Sequence, residues 1–192
     1  MEREVYSMKI NFMSLLLLLQ SQLFFSACNE KKKEDTNLIA AAALLSSFSM
    51  AGDCSIAAGR RTLNAFTTDT TGSNPKSGNI TSSSRVPVVG HIASVLKLEA
   101  SSGTRITTTG NSFAILYKSN SCPLSESNRQ TIGTGFSLGS GATDSDSEFT
   151  GSHKISGSGS IVITQAGTYY YLYYQIPSSG QTTLPAFAIT AN

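Results

Sequence analysis

The stretch Ile161-Val162-Ile163-Thr164, Gln165-Ala166-Gly167, Thr168-Tyr169-Tyr170-Tyr171-Leu172-Tyr173-Tyr174 limits the possible folds more than any other part of the chain. Two runs of β-branched and aromatic residues flank a three-residue connection ending in Gly, the pattern of two strands joined by a bulged hairpin turn. Short apolar runs separated by Gly, Ser, Asn and Pro recur from Cys54 onward. They predict strands at Leu63–Thr68, Ile92–Leu98, Arg105–Thr108, Ser112–Lys118, Thr134–Leu138, Ile161–Thr164, Thr168–Ile176 and Ala186–Thr190. Val89–Glu99 also fits helical spacing through Ile92, Val95, Leu96 and Glu99, and is read as strand because Thr and Ser clusters flank it. The expected class is all-β: an antiparallel β-sandwich, Ig-like or jelly-roll-like, over residues 53–192. Gly and Ser accumulate over residues 133–160, which read as exposed loop.

In a strand, Tyr169, Tyr171 and Tyr173 face one side while Tyr170, Leu172 and Tyr174 face the other. Both faces are aromatic. Either one set fills the core and the other covers the sheet surface, or the outward set is an exposed strip that contacts protein or glycan. The absence of Trp weakens the glycan version. Separately, Ala166-Gly167-Thr168-Tyr169-Tyr170 resembles the late hairpin of many extracellular β-sandwiches, which bears on fold and not on function.

The N-terminal region reads as an export segment. Lys9 leads into an apolar run from Phe12 through Leu19, then Leu23, Phe24 and Phe25, ending in the small residues Ser26 and Ala27 before Cys28. Gln20, Ser21 and Gln22 interrupt the run, and spanning a bilayer takes about 20 predominantly apolar residues. Phe25-Ser26-Ala27-Cys28 resembles the lipobox of bacterial lipoproteins. The charged Asn29-Glu30-Lys31-Lys32-Lys33-Glu34-Asp35 that follows is similar to the tethers of spirochaetal, Leptospira-type lipoproteins, which also tolerate Phe in place of the usual Leu. The resemblance implies cleavage before Cys28, acyl chains on that cysteine and attachment to a membrane, expected to be the outer membrane or cell surface. Residues 1–27 are then a signal peptide. Residues 28–52 form a tether with a short helix or disorder around Leu38–Phe48.

With Cys28 used for lipid, Cys54 and Cys122 remain, and an oxidising compartment favours a bridge between them over two buried thiols. Neither cysteine has a Cys-x-x-Cys partner for zinc. Charged residues are 14% of the chain and the net charge is +2, which gives no field for nucleic acid.

Enzyme signatures are poor. Gly110-Asn111-Ser112-Phe113-Ala114 lacks the last glycine of a nucleophile elbow, and His91 and His153 read as exposed loop residues. Asp144, Asp146 and Glu148 form a weak Ca²⁺ candidate, because Phe149 and Ile155 replace the glycine and final glutamate of an EF-hand. The expected function is non-catalytic, with no cofactor: a lipid-anchored sandwich binding a host or envelope macromolecule, or a periplasm-facing structural lipoprotein.

Overall fold

The computed structural model describes residues 51–58, 61–86, 89–145 and 151–191, all within one compact unit, Ser49–Asn192. The export segment, Cys28, the tether as far as residue 50, Asp146 and Glu148 lie outside the described residues. Thirteen strands are described: β1 (Cys54–Ala58), β2 (Arg61–Asp69), β3 (Ser77–Asn79), β4 (Ser84–Arg85), β5 (Ile92–Ala100), β6 (Arg105–Thr109), β7 (Ser112–Lys118), β8 (Phe136–Leu138), β9 (Ala142–Asp144), β10 (His153–Ile155), β11 (Ser158–Ile163), β12 (Gly167–Gln175) and β13 (Ala186–Thr190). One sheet runs β1-β2-β5-β12-β7-β10-β9, with β4 also on β5, and the other runs β3-β13-β6-β11-β8. The anticipated β-sandwich is therefore present.

From β5 onward nearly every connection crosses between the sheets, only β9 and β10 following one another in the same one. That alternation is jelly-roll-like; an immunoglobulin layout keeps successive strands A and B, D and E, and F and G together. Two expectations are corrected by it. β11 and β12 do not form a hairpin: β11 pairs with β6 and β8, and β12 with β5 and β7. The Gln165-Ala166 connection is an arch between sheets. Nor is the sandwich wholly antiparallel, because β2 lies parallel to β5, with Thr67 beside Val95. The chain between them visits the other sheet as β3 and returns as β4, supplying the long crossover a parallel pair needs.

The larger sheet has a core on each face. Toward the second sheet it presents Leu96, Leu98, Leu116, Tyr169, Tyr171 and Tyr173, packed with Ile106, Phe136, Ile155 and Ile161. Its other face carries Val95, Ile115, Tyr117, Tyr170 and Leu172, packed with Cys54, Ile56, Leu63, Ala65 and Leu124. This second core exists because the sheet curls. Tyr117 Oη donates to the Ala57 carbonyl at 3.2 Å, although β7 and β1 stand four strands apart in the sheet order. In a flat sheet that separation would be roughly 19 Å, beyond the reach of any side chain.

The segment after β7 completes the curl. Leu124 N donates to Ser55 O and Ala57 N to Leu124 O, both at 2.8 Å. Cys122 is disulfide-bonded to Cys54 beside them, with a Cα–Cα distance of 5.4 Å. The expected bridge is thus present, and it fastens the seam of a small closed unit inside the sandwich.

Candidate functional site

The double core decides what the tyrosines do. β12 is flanked by β5 on one side and β7 on the other, so its backbone is paired along both edges while its side chains enter both cores. Tyr169, Tyr170, Tyr171 and Tyr173 are buried and Tyr174 is half-buried. Of the two readings the sequence left open, the structure does not have the exposed strip: Tyr169 to Tyr173 are buried and only Tyr174 is partly open, because the curled sheet covers the face that a plain sandwich would leave bare.

Four of the five tyrosine hydroxyls of β12 find a partner inside the protein. Tyr169 Oη donates to Gln165 O at 2.7 Å. Tyr173 Oη and Thr108 Oγ1 share a hydrogen bond at 3.0 Å. Tyr171 Oη meets His153 Nε2 at 2.5 Å, and on the opposite face Tyr174 Oη meets His91 Nδ1. Both histidines of the chain therefore hold tyrosines of β12, from opposite sides of one strand.

His153 departs most from expectation. It sits in β10 rather than in an exposed loop, with no accessible surface. Its ring stacks on Tyr171 at 5.5 Å between centroids and lies 5.2 Å from Phe136. Nδ1 has no hydrogen-bond partner of good geometry, although the Gly151 backbone favours the charged ring. Burial pushes the His153 pKa down to about 4, with the Gly151 backbone and the charge of Asp144 pulling the other way. Burial likewise raises Tyr171 and Tyr173 well above the ordinary phenol value and pushes Tyr117 up to about 12. These hydroxyls stay protonated at physiological pH and act as hydrogen-bonding groups.

A pH dependence follows. The folded state holds His153 neutral far below the ordinary histidine value of about 6.5, so acid favours any state that exposes the ring. Above that value the ring is neutral in both states and costs nothing. As pH falls toward 4 the fold should lose up to about 3 kcal/mol from this one group, with no further loss below. Urea unfolding at the two ends of the window, compared between wild type and His153→Phe, measures it; equal acid losses in both would reject the assignment.

Other sequence candidates are not brought together. Ser112 is buried in β7, and the hydrogen bonds of His91 and His153 go to tyrosines, so neither ring serves it. Asp144 is exposed at the end of β9. Among the described residues no group of three His, Cys, Asp or Glu side chains is placed to hold a metal ion. No family model, curated protein or solved structure matches the chain. Its functional reading rests on its own residues.

The outward face of the second sheet is the remaining broad surface. It is built from small uncharged residues, including Ser77, Asn79, Thr107, Thr109 and Ser158. Among the described residues its one cation, Arg105, donates through Nη1 to Ser160 Oγ at 3.0 Å.

Proposed function

We propose that this chain is a lipid-anchored envelope or surface lipoprotein whose disulfide-closed sandwich contacts a macromolecular partner without catalysis. The observation that carries the reading is the Cys54–Cys122 bridge. The chain has three cysteines, so the bridge leaves Cys28 as the one without a disulfide partner in this chain. That cysteine stands at the end of Phe25-Ser26-Ala27-Cys28, where lipidation would occur. A bridge also suits an exported protein, because thiols in reducing compartments stay reduced.

Attachment would come from the acyl chains. Each buried methylene contributes about 0.8 kcal/mol, and two or three chains hold where one is marginal. Partner contact, with the tyrosines committed to the cores, falls to the Ser/Thr-rich face of the second sheet, which carries few charges, and to its loops. Such a surface gives little electrostatic steering, so association should depend weakly on salt.

The anchor is tested by expressing the full chain and Cys28→Ser in cells given labelled palmitate. The wild type should carry label and partition into detergent; the variant should lose the label and move to the aqueous phase. Label retained by Cys28→Ser would overturn the lipid assignment.

A further inference from the structure

We propose that the β9–β10 hairpin is an acid-released edge of the sandwich, latched at neutral pH by the His153 ring lodged against Tyr171. β9 is the outermost strand of its sheet, and β10 holds to β7 through only three pairs, His153 to Ala114, Lys154 to Phe113 and Ile155 to Ser112. Along β12, by contrast, every residue from Gly167 to Gln175 is paired with β5. Peeling off the hairpin breaks few ladder bonds, so it costs less to open than the central strands.

What holds the hairpin is side-chain insertion. His153 and Ile155 enter the inter-sheet core, where Phe136 and Tyr171 enclose the imidazole. A neutral ring makes one good hydrogen bond there, to Tyr171, and leaves Nδ1 unpaired but uncharged. An imidazolium has two donors and needs two acceptors, and Nδ1 has none of good geometry.

The groups facing the ring do not make up the deficit. From β12 come the protonated hydroxyls of Tyr171 and Tyr173; β7 contributes Ala114 and β8 Phe136, neither charged, and the Gly151 backbone, which favours the charged ring, is outweighed by burial and gives Nδ1 no hydrogen bond of good geometry. Across the hairpin Asp144 is paired with His153, but its side chain is exposed. Lys154, next along β10, is exposed as well. A second proton is accommodated only when the ring reaches water. Gly141 and Gly157 bracket the segment with φ of +74° and +76°, a conformation that glycine adopts without strain, and they are natural hinges. Release would uncover Tyr171, Phe136 and the edge of β7.

The experiment is hydrogen exchange by mass spectrometry on the full chain at neutral pH and at about pH 4.5, within the range where histidine charges, corrected for intrinsic exchange rates. β9 and β10, Ala142–Asp144 and His153–Ile155, should lose protection by roughly tenfold or more while β5 and β12 keep theirs. His153→Phe, which keeps a ring in place but cannot titrate, should abolish the loss. Even loss across both sheets, no loss, or the same loss in His153→Phe would each overturn the proposal. If His153→Phe does not fold, His153→Gln replaces it, and the wild-type exchange pattern is by itself enough to overturn the idea.

Discussion

Replacing Cys54 and Cys122 together by Ala should cost the domain about 4 kcal/mol, the chain-entropy value for the 68-residue separation the bridge closes. For a domain of this size that corresponds to a fall in Tm of roughly 10–15 °C. The double variant avoids leaving one unpaired thiol behind. The loop between the two cysteines contains β2 to β7, so the bridge limits the unfolded chain over a large part of the domain. In the folded state it sits at the seam where β1 meets Leu124, and without it that seam depends on a few backbone bonds and the Tyr117 hydroxyl. Urea denaturation of the oxidised wild type against the double variant gives the number. A loss below about 1 kcal/mol would mean that the curl is held by packing alone and that the chain-entropy account does not apply here.

Much of this fold was legible because the long strands carry their own signal. β7 and β13 fall at the expected residues, and β2, β5, β6 and β12 within one or two of them. The strands that escaped notice, β1, β3, β4, β9 and β10, have between two and five residues each. β9 and β10 in particular lie in a Gly/Ser-rich stretch where three residues are too few to establish a period. The burial of His153 and Ile155 on either side of exposed Lys154 is a proper alternation, hidden by its brevity. The bridge was readable by counting cysteines, yet its structural meaning was not, since the curl depends on Leu124 pairing with a strand far back in the sequence.

The aromatic run illustrates how an accurate local reading can still leave the surroundings open. Alternation correctly separates Tyr169, Tyr171 and Tyr173 from Tyr170, Leu172 and Tyr174, but a single strand does not reveal whether its second face is covered. The neighbours held a clue. Val95-Leu96 in β5 and Ile115-Leu116-Tyr117 in β7 are continuous apolar runs, as expected of strands buried on both faces. The same double burial explains why Val89–Glu99 fits helix and strand spacing alike: with both faces apolar, the period-two signal is lost. His153 was missed for a different reason, since no local pattern distinguishes a histidine in a Ser-rich loop from one that a distant tyrosine will enclose.

Truncating either tyrosine set should therefore destabilise the domain, with Tyr171→Ala the most damaging single change. Removing a fully buried aromatic ring costs about 3–5 kcal/mol through lost transfer energy and the cavity left behind. Tyr171 is in addition the partner of His153 Nε2, and an abandoned buried nitrogen adds about 1–3 kcal/mol. Tyr171→Phe isolates that second contribution by keeping the ring and deleting the hydroxyl. Tyr170→Ala should cost a similar amount to the first contribution, because Tyr170 is only 4% exposed and packs in the curled core beside Val95, Ile115 and Leu172. Tyr174, half-buried and touching the core edge, should cost less. Urea unfolding of all four variants tests the arrangement, and the sharp comparison is between Tyr171→Ala and Tyr170→Ala. If Tyr170→Ala were tolerated within about 0.5 kcal/mol, as surface substitutions usually are, the second face of β12 would be open to solvent and the curl of the sheet would be wrong. Comparable losses from both faces place β12 at the centre of the domain, with a core on either side.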